Sequence, residues 1–124
     1  MIGRELEGYW KTVVNTIRDG IMIVNTHGAI VSVNSAFEKI TGYSRDEIIG
    51  KSCEILQCDI CHETRLHGEG CWCALFSDGK VEQRKCTIRR KDGTFFQALK
   101  NGAILKDPDG QVIGAVGTIA DISE

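Results

Sequence analysis

Asp19-Gly20-Ile21-Met22-Ile23-Val24, then Thr26-His27-Gly28, then Ala29-Ile30-Val31-Ser32-Val33-Asn34, is the stretch that decides the fold class. Two short apolar runs, Ile21–Asn25 and Ala29–Val33, flank a link whose glycine supplies the reversal, which predicts two paired strands. The first run is apolar without alternation, so burial on both faces is expected. The period then changes. Asn34-Ser35 opens a helix through Thr41, with Ser35 and Glu38 spaced as a capping box and Gly42 as its stop. Ser44 and Glu47 repeat the spacing, Ile48 and Ile49 follow, and Gly50 closes a second short helical turn.

Upstream, Leu6, Tyr9, Trp10, Val13, Val14 and Ile17 fall on one stripe of a helix. Asp19-Gly20 ends it, with Gly20 placed as the C-terminal cap. Such a helix packs on its own core or on a second copy, and this stripe carries two large aromatics. Downstream, periodicity fails from Lys51 to Gly70. Trp72–Phe76 reads as a helical turn ended by Asp78-Gly79. Three strands follow, near Glu82–Arg90, Thr94–Leu105 and Gln111–Ala120. Lys91-Asp92-Gly93 separates the first two, and Asp107-Pro108-Asp109-Gly110 the last two, with Pro and Gly where a type I turn prefers them. The sum is an α+β domain on a five-stranded sheet. Residues 1–19 form an N-terminal helix, and 20–124 form the domain, with a cysteine-rich insertion about 51–73.

Length and composition agree. A chain of 124 residues that is 42% hydrophobic and 26% charged is one domain with a sizeable core. A net charge of -2 argues against non-specific attraction to nucleic acid or anionic membrane. No apolar run approaches the roughly 20 residues of a membrane span, and the N-terminus lacks a secretory signal. The chain reads as cytoplasmic, with neither membrane nor nucleic acid as a direct partner.

The order of elements, and the residues filling them, resemble the PAS domain of bacterial sensor kinases and transcription activators. The matching pieces are Asp19 to Val24, Gly28 to Asn34, Phe37 with Ile40-Thr41-Gly42-Tyr43-Ser44, Glu47 to Lys51, Arg90-Lys91-Asp92-Gly93, and Gly114 through Asp121-Ile122-Ser123. The resemblance implies an antiparallel sheet of order 2-1-5-4-3, small helices on one face, and a pocket near Asn34 and Phe37. It also implies a homodimer, often through the preceding helix, and output through a helix after the last strand. The chain stops at Glu124, where that helix would begin, so the effector (a kinase or a transcription activator) is expected on a longer protein. A subgroup with a cysteine-rich insertion before Leu75-Phe76 and Gly79-Lys80-Val81 is similar to this chain.

The cysteines are spaced Cys53-x4-Cys58-x2-Cys61, then Cys71-x-Cys73, then Cys86. In a cytosolic domain such a set points to metal or redox chemistry rather than a static disulfide framework. Cys58, Cys61, Cys73 and Cys86 are the obvious tetrahedral set for zinc. Cys71 and Cys73 compete for one role, and Trp72 with Leu75-Phe76 favours Cys73. The C-x4-C-x2-C spacing beginning at Cys53 is also that of plant-type iron–sulfur ferredoxins. A cluster would sense oxygen or redox state, zinc would hold the insertion together, and a dithiol–disulfide pair would report redox poise without a cofactor. Inert thiols that pack as small apolar groups are the bland alternative. Cys58-Asp59-Ile60-Cys61-His62 spells the c-type haem motif, with His62 as axial ligand. Its maturation is extracytoplasmic, which argues against it. His67 reads as solvated.

No Ser/His/Asp set, carboxylate pair or phosphate-binding loop stands out, and Asp59 and Glu63 would raise rather than lower the thiol pKa of the CxxC pair. The chain therefore reads as a module without enzymatic turnover. Arg84-Lys85 and Arg89-Arg90-Lys91 fit a half-buried strand that turns Cys86 and Ile88 inward and Lys85, Thr87 and Arg89 outward. The flavin-photosensor variant of the family carries a reactive cysteine within Asn-Cys-Arg-Phe-Leu, which is absent here. No histidine between Phe37 and Cys53 suggests a haem b ligand.

Overall fold

The computed structural model describes residues 12–57 and 80–122, with side chains in the second block from Gln83 onward. Five strands, β1 (Gly20–Val24), β2 (Ile30–Val33), β3 (Lys80–Arg89), β4 (Phe95–Lys106) and β5 (Val112–Asp121), form one antiparallel sheet. Its order is β2-β1-β5-β4-β3, as the resemblance implies. The first and last strands are neighbours, Gly20 lying opposite Ile119 and Val24 opposite Ala115. Between β2 and β3 come α1 (Ser35–Thr41), α2 (Arg45–Ile48) and a 3-10 turn (Cys53–Leu56). Phe37, Ile48 and Leu56 from this cover meet Ile88, Phe96 and Ala98 from the sheet in one core. Each large apolar side chain fully buried there stabilises the fold by about 1.5–3 kcal/mol.

One turn chemistry is used three times. In Asn25–Gly28, Arg90–Gly93 and Asp107–Gly110 the glycine amide donates to the carbonyl three residues back, at 3.0 Å each time. In each the glycine has φ between 83° and 92°, open to glycine at no steric cost. Asn25 and Asp107 also accept amides of their own turns through their side chains.

The helical cover departs from the sequence expectation in two places. The N-cap of α1 is Asn34, not Ser35: its side chain accepts the Phe37 amide, while Ser35 is the first helical residue. Glu38 does not close a box with Ser35, because its carboxylate accepts the Arg45 amide instead. Gly20 is not a helix cap. Helical geometry covers residues 12–16, and Gly20 opens β1. A Cβ there would lie 3.0 Å from the Phe37 Cα and 3.0 Å from the Ile119 Cγ1, so glycine is required by the close approach of α1. The second capping box stands as expected, with the Ser44 amide donating to Glu47 at 2.8 Å.

Candidate functional site

The inner face of the sheet, beneath α1 and the 3-10 turn, gathers the residues that carry chemistry. Asn34 anchors its edge. It is 2% exposed, and its Oδ1 accepts the amides of Ile21 (2.8 Å) and Phe37 (3.0 Å). Its Nδ2 donates to the carbonyls of Val14 (2.7 Å) and Asp19 (3.0 Å). One carboxamide thus joins the N-terminal helical residues, β1 and α1, and its hydrogen-bonding capacity is filled. Phe37 is fully buried in the core. Val13 is 50% exposed and Ile17 is exposed, whereas Val14 is half-buried. Leu6, Tyr9 and Trp10 lie outside the described residues.

Cys53 (8% exposed) and Cys86 (3%) belong to the same core cluster. Cys86 shares the inward phase of β3 with buried Ile88, while Lys85 faces solvent. Cys53 begins a turn where periodicity gave no signal. Ser52 caps it by accepting the Glu54 amide at 3.2 Å, and Gln57 ends it in the left-handed region. The Cys53 amide donates to the Gly28 carbonyl at 3.0 Å, and Ser52 bridges to Ala29. The turn is thereby pinned to the β1–β2 hairpin and packs against β3, the strand of Cys86. Ser52-Cys53-Glu54-Ile55-Leu56 keeps only the cysteine and the leucine of the photosensor stretch. Cys58, Cys61, Cys71, Cys73, His62, His67 and Trp72–Phe76 lie outside the described residues. Among the described residues no three histidine, cysteine or carboxylate side chains gather as a metal site. Cys53 and Cys86 are soft donors, but the two alone do not close the coordination of zinc or of an iron–sulfur cluster.

Lys100 was missed by the sequence reading. It is 5% exposed, in the middle of β4, between Arg84 on β3 and Ile119 on β5. It shares the inward phase of Phe96 and Ala98, both buried. The signal was in the sequence: on a strand that alternates Phe96, Ala98, Lys100, Gly102, Ile104, the one charged residue falls in the apolar phase.

Arg90, at the end of the sheet, ties three elements together. Its Nε donates to the Ile40 carbonyl on α1 at 3.1 Å. Its guanidinium lies 4.3 Å from the centre of the Phe96 ring. Its Nη2 meets Asp121 Oδ2, the last residue of β5, at 2.7 Å. Next to it the Lys91 amide donates to the Thr41 carbonyl, and Lys91 Nζ pairs with Glu47 at 2.7 Å. That hydrogen bond from Lys91, ahead of those from Ser44, lowers the Glu47 carboxyl from an ordinary 4.5 to about 2. An open cleft of ≈ 480 Å³ lies between α1 and this turn, lined by Lys39, Gly42, Arg90 and Asp92 among others. A second, of ≈ 250 Å³, separates α1 from residues 15–18. Neither is lined by Asn34 or Phe37.

A five-stranded antiparallel sheet of this order, with short helices over one face, defines a sensory-domain fold, and comparison with known proteins places the chain within it. The PAS domain family profile matches residues 18–124, and the chain belongs to that family. It is 35% identical over 95 residues to the bacterioopsin transcriptional activator of Halobacterium salinarum, covering 77% of this chain and 14% of that protein. The crystal structure of a PAS domain from Colwellia psychrerythraea superposes with a TM-score of 0.78 at 20% identity, over 95% of this chain and 98% of that one. The LOV domain of a blue-light activated histidine kinase from Erythrobacter litoralis does so with a TM-score of 0.69 at 27% identity, over 87% and 99%. The chain is a PAS sensory module of the kind built into signalling proteins. No helix among the described residues is long and apolar enough to cross a membrane.

Proposed function

We propose that this chain is the input module of a larger regulator, that it reads redox state through its cysteines, and that it controls a transcription-activating or kinase effector. The observation that carries the redox reading is the placement of Cys53 and Cys86, the first and last of the six cysteines in chain order. Both are buried in one core, on elements packed against each other. Chemistry at either sulfur therefore acts on the seam between the helical cover and the sheet. Oxidation of two thiols to a disulfide forms one S–S bond and releases two protons and two electrons, accepted by a peroxide or by a partner disulfide. The sulfurs then lose their packing as small apolar groups, and the 3-10 turn shifts against β3. Two residues beyond buried Ile88, Arg90 joins that strand end to α1 and to Asp121, where the chain leaves β5. The relative that activates transcription and the one that is a histidine kinase support the effector classes. The module itself performs no turnover, it acts as a homodimer, and it works in the cytoplasm.

The test compares reduced and oxidised protein, purified without oxygen, by visible spectrum, metal analysis and amide exchange. Wild type is expected to change exchange at residues 119–122 on oxidation, and Cys53→Ala with Cys86→Ala to abolish that change while remaining folded. An identical response in the alanine variants would sink the role of these two thiols. One zinc per chain, with no redox response, would make the cysteine set structural.

A further inference from the structure

The cleft of ≈ 250 Å³ between α1 and residues 15–18 is left unused by the redox reading, and neither Cys53 nor Cys86 lines it. Arg18 contributes to it from one side and Lys39, on α1, from the other. Among the described residues neither cation forms an ion pair. None of the residues lining the cleft is acidic. Glu38, next to Lys39, turns its carboxylate to the Arg45 amide, and Asp19, next to Arg18, does not line the cleft. The larger cleft on the other flank of α1 differs on each count. Its Arg90 and Lys91 are held by Asp121 and Glu47, and Asp92 stands in its wall. Uncompensated positive charge is therefore concentrated in the smaller one. Ile17 and Ile40 line it too, and Ile17 is 41% exposed.

We propose that this cleft binds a phosphate monoester, its phosphoryl group between Arg18 and Lys39 and its body against Ile17 and Ile40. The charge balance selects that class. A phosphoryl group carries about -1.5 to -2 at pH 7 and matches two cations, whereas a singly charged carboxylate or sulfate ester leaves one unmatched. A guanidinium meets phosphate oxygens in pairs, and an ammonium adds a point charge beside them. The volume falls below the roughly 300–1,000 Å³ of sites that enclose a whole ligand, so the headgroup is held and part of the body stays in solvent. The consequence follows from what already crosses the cleft. The Ser35 amide donates to Asn15 Oδ1 at 3.0 Å, and Ser35 Oγ to the Asn15 carbonyl at 3.4 Å. A phosphoryl group held from both sides adds a further tie, so binding tightens the residues that lead into β1 against α1. The module thereby gains an input at its entry strand that bypasses the thiols.

The test uses the 124-residue protein under reductant, with phenyl phosphate as probe and phenyl sulfate, inorganic phosphate and succinate as comparisons. Titration followed by amide shifts is expected to move residues 15–18 and 35–40, with phenyl phosphate binding about three- to tenfold more tightly than phenyl sulfate. Arg18→Gln and Lys39→Gln should each weaken phenyl phosphate about three- to tenfold and combine in the double variant, with the melting transition kept because both side chains are exposed. Lys106→Gln, an exposed cation at the far end of β4, should bind as wild type does. Saturation should slow amide exchange at residues 12–19 in wild type and leave it unchanged in the double variant. Four results overturn the proposal: the double variant binding as wild type does, Lys106→Gln weakening binding as much as either single variant, inorganic phosphate or succinate binding more tightly than phenyl phosphate, or exchange at residues 12–19 unmoved in saturated wild type. The proposal does not rest on the cysteines. Its failure leaves the redox reading standing, and an unchanged redox response in the alanine variants leaves this one standing.

Discussion

Asn34→Ala should be among the most damaging single substitutions outside the apolar core, and its cost can be worked from four hydrogen bonds. Alanine removes the acceptor shared by the Ile21 and Phe37 amides, both buried. A buried donor left without a partner costs about 1–3 kcal/mol, and loss of a helix N-cap about 1 kcal/mol. The carbonyls of Val14 and Asp19 are half accessible, so water replaces their partner at little cost. The expected loss is about 2–4 kcal/mol, a large share of the roughly 5–15 kcal/mol that holds a domain together. At roughly 4 °C per kcal/mol, the melting temperature falls by about 8–16 °C. Asn34→Asp separates the two halves of the interaction: it keeps the acceptor but sets oxygen against the carbonyls of Val14 and Asp19. Urea titration followed by circular dichroism gives the energies, and amide exchange locates them. Residues 12–19 should lose protection in both variants, whereas the α1 amides should stay protected in Asn34→Asp alone. An Asn34→Ala protein that loses less than about 1 kcal/mol, with residues 12–19 exchanging as in wild type, refutes the argument.

Gly20→Ala should cost about 1–3 kcal/mol by overpacking, because one of the two atoms its Cβ meets at 3.0 Å is the backbone Cα of Phe37 and cannot rotate away; an unchanged urea midpoint would show that α1 shifts freely. Glu47→Gln preserves the capping-box acceptor but removes the charge facing Lys91. Because the folded carboxyl is lowered to about 2, its contribution is full above an ordinary carboxylate pKa and is lost as pH falls through about 4.5 towards 2. Wild-type melting temperature should therefore drop faster than that of the variant across this window. The two curves should converge near its lower end, and parallel curves would rule the ion pair out.

What the sequence disclosed depended on how local the deciding interaction was. The Ser44 and Glu47 box, and the turns ending in Gly28, Gly93 and Gly110, involve residues within four of one another, and their spacing announced them. Asn34 and Ser35 are both good caps by type, and the choice fell to Asn34 because its second partner, Ile21, lies 13 residues away. Gly20 looked like a helix stop because nothing local reveals that α1 crosses β1 closely enough to exclude a Cβ. The 3-10 turn that buries Cys53 is four residues long, too short to show a period. The thiols were visible as soft donors, but not as neighbours of one core. Lys100 is legible too, because the alternation of its strand places one charge in the phase of buried Phe96 and Ala98.

The antiparallel pairing of β1 with β5 sets how the module answers to force. Gly20 begins one strand and Asp121 ends the other, with Gly20 facing Ile119, so the chain's connections into β1 and out of β5 lie at the same end of adjacent strands. A pull on those connections opens the pair like a zipper, loading one cross-strand bond at a time, instead of shearing the whole ladder together. Arg90 stands at that end, clamping Asp121 to Phe96 and α1. The clasp therefore sits beside the first cross-strand bonds that such a pull would load.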